Sequence, residues 1–239
     1  MANAIYIWSK IPITKKKRFI EICSSNNVDQ IFFSAYNTSE NQSKFSEMIQ
    51  GNDLKFFAMA STNEFSTNSS IALKYVDDII KYNNRVGEEQ KFSGVHFDIE
   101  PHCLPDYKNH RDEILLKHVM MIKECHKKTD NNGLEFGVSI PYWYEYNEKS
   151  IPINLEGVIK PCSQHIIDNS DHISIMAYRP RIDQIVNSVK EEIKYSSKKV
   201  FVAVNDISII KNVETALNKV YPIEGIAIHH YHKLPGSKD

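Results

Sequence analysis

Eight short runs rich in β-branched and aromatic residues recur along the chain at intervals of roughly 25 to 40 residues, and no other feature restricts the fold as much. They are Ala4 to Trp8, Gln30 to Ala35, Lys55 to Ala60, Gly94 to Ile99, Glu135 to Ile140, His172 to Ala177, Lys199 to Val204 and Gly225 to Tyr231. The longer segments between them carry helical periodicity. Thr14 to Ser25 sets Phe19, Ile22 and Cys23 on one face, Ile71 to Tyr82 does so with Leu73, Val76 and Ile80, and Asp112 to Lys127 with Leu115, Val119 and Ile122. Strand and helix alternating in this way predict βα units and a parallel sheet. Eight strands with about seven helices in 239 residues match an α/β fold, a single (β/α)8 TIM barrel, whose usual length is ~250 residues. An open doubly wound sheet would favour a glycine-rich first turn, and the turn after Trp8 reads Ser9-Lys10-Ile11-Pro12. No linker, repeat or low-complexity stretch divides the chain, so one domain over residues 1–239 is expected. The sequence stops soon after the last run, at KLPGSKD, so the eighth helix is expected to be absent or contributed differently.

With 41% apolar residues the chain has material for a large core and is not disordered. Lys+Arg 29 against Asp+Glu 30 leaves a net charge of −1, which excludes the broad positive field that nucleic acid selects for. No stretch approaches the ~20 apolar residues of a membrane span. The opening MANAIYIWSKIPITKKK reverses the charge order of a signal peptide, which points to a soluble cytoplasmic protein with no membrane partner. The run Lys15-Lys16-Lys17-Arg18 reads as the solvated start of the first helix. Cys23, Cys103, Cys125 and Cys162 form no CxxC pair and read as packing residues in a reducing compartment. None of the eight glycines falls in a GxGxxG or P-loop pattern, and HExxH and GxSxG are absent, so no cofactor is expected. Any chemistry must come from side chains that the fold brings together.

The fourth run is where such chemistry is expected. Alternate residues of a barrel strand share a face. In Ser93-Gly94-Val95-His96-Phe97-Asp98-Ile99-Glu100-Pro101, Val95, Phe97 and Ile99 make an apolar outer face, leaving His96, Asp98 and Glu100 to point inwards. Two carboxylates one step apart raise the proton affinity of one of them, the setting for a general acid, and catalytic groups of barrels sit at the C-terminal ends of strands. The bland alternative is that Asp98 and Glu100 pair with cations such as Arg179 or cap the next helix, and that His96 is a hydrogen-bonding core residue.

This strand resembles the DGxDxDxE segment of glycoside hydrolase family 18, the chitinase-like barrels. It keeps the glycine, the last aspartate and the glutamate, and lacks two aspartates. The resemblance implies that Glu100 protonates the glycosidic oxygen while Asp98 orients the substrate's own N-acetyl group, which acts as nucleophile in a retaining reaction. In His172-Ile173-Ser174-Ile175-Met176-Ala177-Tyr178-Arg179 the family's MxYD segment is matched with arginine in place of aspartate, implying that Tyr178 bonds the reacting acetamide. The last strand lacks the family's tryptophan, so His229 or Tyr231 would have to floor the sugar site.

Aromatic residues point to the same rim and the same ligand. The fifth run leads into Pro141-Tyr142-Trp143-Tyr144-Glu145-Tyr146, and Trp8 and Tyr36 end the first two, giving flat faces on which a carbohydrate stacks. Asp206, after the seventh run, is either a second carboxylate across the mouth or a helix cap, the cap being the commoner role. Three functions stay open: a hydrolase acting on an N-acetylated glycan, a barrel that binds such a glycan without cleaving it, and a metal hydrolase using His96, Asp98, Glu100, His229 and His230, for which no compact ligand motif speaks.

Overall fold

The computed structural model of the chain describes residues 3–9, 15–34, 53–146, 149–196, 200–234 and 237. Eight parallel strands close into one barrel: β1 (Asn3–Ile7), β2 (Val28–Ser34), β3 (Lys55–Ala60), β4 (Gly94–Phe97), β5 (Glu135–Pro141), β6 (His172–Met176), β7 (Val200–Val204) and β8 (Gly225–Ile228). Each pairs with its neighbours in sequence, and β8 closes on β1 through Ala4↔Ala227 and Ile5↔Ile228. Six α-helices surround the sheet among the described residues: α1 (Lys16–Ser25), α2 (Ser69–Asn83), α3 (Tyr107–Asp130), α4 (Cys162–Asp168), α5 (Ile182–Ser196) and α6 (Ile210–Asn218). This is the expected TIM barrel. After β8 the described residues hold only a 3-10 turn, Tyr231–Lys233. No helix of the described residues is long and apolar enough to cross a membrane.

The strands sort their side chains as period-two alternation dictates. Ile5, Ile31, Val95, Phe97, Val138, Ile175, Val202 and Ile228 face the helices and join one large core with Phe19, Ile22 and Cys23 of α1 and Leu115, Val119 and Ile122 of α3. Tyr6, Phe32, Phe57, Met59, Phe201 and Ala203 fill the barrel. The face of α2 is turned from the expected one. Ala72, Tyr75, Val76 and Ile79 are buried, while Leu73 and Ile80 are only partly covered, because the larger aromatic side chains Tyr75 and Tyr82 take the inner positions.

Strand ends also differ. β4 stops at Phe97 and β8 at Ile228, short of the expected Ile99 and Tyr231, since the chain leaves the ladder where it turns over the barrel mouth. Two small antiparallel hairpins that the sequence did not announce lie between β5 and α4, pairing Glu145–Tyr146 with Lys149–Ser150 and Pro152–Leu155 with Val158–Pro161. The expected strand end Ala35, the helix start Thr14 and the strand start Lys199 lie outside the described residues.

Two glycines allow the sheet to close where it carries the candidate site. A Cβ on Gly94 would lie 2.1 Å from the Glu135 carbonyl oxygen, so β4 and β5 approach this closely only with glycine there. A Cβ on Gly137 would lie 1.9 Å from Nε2 of His172, whose ring fills that space.

Candidate active site

The barrel interior is unusually polar for a fold whose centre is commonly branched aliphatic. Nδ1 of His96 and Nε2 of His172 are 3.1 Å apart, His96 Nε2 is 2.9 Å from the Ser139 hydroxyl, and that hydroxyl is 2.8 Å from the hydroxyl of Tyr6. Phe32 stacks on the His96 ring at 3.9 Å. Burial holds both histidines neutral, pushing His172 down to about 4 and His96 well below its usual range. Each bond in the series is therefore between neutral groups, so the interior needs no counter-ion. Burial likewise raises the Tyr6 hydroxyl, which keeps its proton.

Asp98 stands two positions above His96 on the same face of the chain. It is 8% exposed, and its Oδ1 has no hydrogen-bond partner among the described residues. Burial pushes its carboxyl up to about 6; the Ser139 hydroxyl offsets part of this and the charge of Glu100 adds to it. Glu100, two positions further, emerges from the barrel with its side chain 36% exposed. Its backbone N–H donates to Asn63 Oδ1 at 2.8 Å, which fixes the turn where the chain leaves β4. Nε2 of His102 lies 3.0 Å from Oε2, and this contact holds the Glu100 carboxyl below its usual range. One acid of the pair is thus raised, and it is Asp98, by burial first, with the charge of Glu100 a smaller addition.

Around these acids the other strand ends supply a rim. Tyr178 follows β6 and packs against the barrel-interior cluster; burial raises its hydroxyl, and the charges of Asp98 and Glu100 add to the shift. Trp8 follows β1, lies 6.2 Å from the Tyr6 ring in parallel, and donates its indole N–H to Nε2 of His229 at 3.1 Å. That bond requires an unprotonated Nε2, in accord with the depression of His229 to about 4, mainly by burial. The rings of His229 and Tyr178 are 5.3 Å apart. After β5, Tyr142 accepts a hydrogen bond from Arg179 Nη1 at 2.7 Å and lies under its guanidinium, and the Trp143 ring meets His102 edge-on at 5.1 Å. Asp98, Glu100, Tyr178, Trp8 and His229 are therefore brought together, with Tyr142, Trp143 and Arg179 beside them.

Compared by sequence, the chain matches no family model and no curated protein. Compared by structure, it is similar to a chitinase of Chromobacterium violaceum (10% identity, 99% of this chain and 96% of that one, TM-score 0.65). It is likewise similar to a GH18 chitinase of Flavobacterium johnsoniae (14%, 98% and 90%, TM-score 0.58). A third similar structure is the spore cortex-lytic enzyme SleL of Bacillus megaterium (15%, TM-score 0.59), of which 85% of this chain covers half. The fold is that of the chitinase-like barrels.

On this chitinase-like barrel several expected residues stand apart from the mouth. His96 is fully buried within the barrel, a core histidine held on both ring nitrogens. Tyr144 is buried in the outer core, because the 3-10 turn Tyr142–Tyr144 rotates it away from its neighbours. Tyr231 also joins the outer core, 5.4 Å from the Phe19 ring of α1; alternation ends with β8, and the turn that follows carries this side chain outwards. Asp206 is exposed and accepts from the backbone N–H of Ser208 at 2.9 Å, the capping role. Tyr36 lies outside the described residues.

Of the residues considered as metal ligands, only Glu100 belongs to a cluster with ligand spacing among the described residues, and its companions are His102 and Cys103. Cys103 is exposed, unlike the buried Cys23, Cys125 and Cys162, so packing accounts for three of the four cysteines. The signal that the sequence offered was the run Glu100-Pro101-His102-Cys103 directly after a strand, with Pro101 starting a tight turn that folds the three side chains together.

Proposed function

We propose that this barrel is a glycoside hydrolase of chitinase-like type, acting on a glycan with an N-acetylated sugar. The observation that carries the reading is the pair of acids, Asp98 and Glu100, at alternate positions where β4 meets the mouth, with Tyr178 packed on the barrel-interior cluster beside the His229 ring. In this reading Glu100, the more exposed acid, protonates the glycosidic oxygen. The acetamide oxygen attacks the anomeric carbon, Asp98 orients the acetamide N–H, and the Tyr178 hydroxyl donates to the acetamide; Glu100, now a base, then activates water. No cofactor enters. Burial raises Asp98 to about 6 while Glu100 is held below its usual range, so on acidification Asp98 takes up a proton first, and this reading requires Glu100 to be protonated before bond breaking. Trp8, Tyr142, Trp143 and His229 are the surfaces against which sugar rings would lie.

A second reading is a barrel that binds the glycan without cleaving it. What favours it is the contact of His102 with Glu100, which keeps the intended acid ionised. One experiment separates the two. N-acetylglucosamine oligomers are incubated with the chain and with Glu100→Gln, and products are followed by mass spectrometry beside a binding titration. Hydrolysis by the native chain that Glu100→Gln abolishes, with binding retained, supports the hydrolase. Binding without products from either protein supports the second reading, and an unchanged rate in Glu100→Gln removes Glu100 from the mechanism.

A further inference from the structure

We propose that Glu100, His102 and Cys103 form a binding site for a borderline divalent cation, of which zinc is the best fit. Glu100 Oε2 lies 3.0 Å from His102 Nε2 and 3.9 Å from Cys103 Sγ, and the three donor atoms all fall within 4.8 Å of one another. Zinc bonds of about 2.0 Å to nitrogen and oxygen and about 2.3 Å to sulfur place the corners of a tetrahedron roughly 3.3 to 3.6 Å apart. The two separations from Glu100 fall on either side of those lengths, and the His102–Cys103 pair lies within 4.8 Å, so small side-chain rotations bring the three donors to the corners. The donor set is also the right one, since a carboxylate, an imidazole and a thiolate suit zinc and a hard cation such as magnesium would reject the sulfur.

The site is held from outside. Asn63 fixes the backbone N–H of Glu100, Pro101 opens the 3-10 turn that carries His102 and Cys103, and the edge of Trp143 sits against the His102 ring. On binding, the Cys103 thiol gives its proton to solvent and the thiolate, with the Glu100 carboxylate, balances the double charge of the ion. Three protein ligands leave a fourth position for water.

The consequence for the mouth rests on the hydrolase reading: an ion on Oε2 occupies the carboxylate that reading assigns as proton donor, so zinc inhibits. The cation site itself does not depend on that reading. It is tested by titrating the purified full chain with zinc against a chromophoric chelator, and with cobalt(II) while recording the near-ultraviolet absorption. One equivalent of zinc is expected, with affinity reduced about tenfold or more in both Cys103→Ser and His102→Ala, and a thiolate-to-cobalt charge-transfer band that Cys103→Ser removes. Circular dichroism of both variants checks that they fold. Absence of stoichiometric binding, or binding that neither variant weakens, overturns the proposal; the second result would assign the ion to groups such as His229, His230 and His232. A chain that binds zinc but cleaves no glycan keeps the site and loses the proposed activity, and one that cleaves glycan without binding zinc does the reverse.

Discussion

Glu192 lies on α5 with no exposed surface, and both its carboxyl oxygens are without a hydrogen-bond partner among the described residues. Burial raises it from 4.5 to about 9, with Glu145 and Glu191 adding to the shift. Between those two values the folded chain holds a proton that the unfolded chain has lost, so the contribution of Glu192 to stability is present at low pH and declines as pH rises towards 9. Glu192→Gln, which keeps the shape and removes the titration, is predicted to stabilise the protein by about 1–3 kcal/mol at pH 8 and much less at pH 5. Thermal unfolding of both proteins at the two pH values checks this, and an equal change at both contradicts it. Tyr178→Phe removes one donor from the mouth and is predicted to lower turnover by about 10² while leaving the melting temperature within a degree or two; a comparable fall in stability would make Tyr178 a packing residue. The sequence pointed to such residues only where strand alternation governs. It put Asp98 and Glu100 on one face of the strand, whereas the contacts of His102 and Cys103 with Glu100 come from a turn of three residues whose path no periodicity encodes.

At the scale of elements, the approach of β4 to β5 depends on Gly94. A methyl group there meets the backbone carbonyl of Glu135, which cannot turn aside as a side chain could. Gly94→Ala is predicted to destabilise by roughly 2–3 kcal/mol, measured by denaturant unfolding, and a change under about 0.5 kcal/mol would mean that the two strands separate freely. All eight barrel strands were legible because each is a run of β-branched or aromatic residues bounded by polar segments, and because both faces of a barrel strand are buried. The hairpins between β5 and α4 were not legible. Their strands are two to four residues long, too short for alternation to register, and Val158 and Ile159 are exposed on one of them, so no buried face marks it. The displaced face of α2 has a similar origin: Leu73 and Ile80 obey the period, but so do Tyr75, Val76 and Ile79, and the fit against the sheet decides between the two stripes.

At the scale of the whole molecule, β1 pairs with both β2 and β8, so the sheet has no free edge and every barrel strand is held on two sides. One helix-covered core runs from α1 to α6 and includes residues from both ends of the described chain, Ile5 and Leu234. That continuity predicts a single unfolding transition by calorimetry, with intrinsic fluorescence and circular dichroism coinciding; two separable transitions would divide the chain into more than one domain. The proposed function requires that this barrel open its acid pair to an N-acetylated sugar. The most direct measurement is a crystal structure of Glu100→Gln soaked with an N-acetylglucosamine oligomer. The expected density is an acetamide seated between Asp98 and the Tyr178 hydroxyl, with the glycosidic oxygen next to residue 100. A mouth that stays free of the oligomer at saturating concentration, or an oligomer bound with its acetamide away from Asp98, would contradict it.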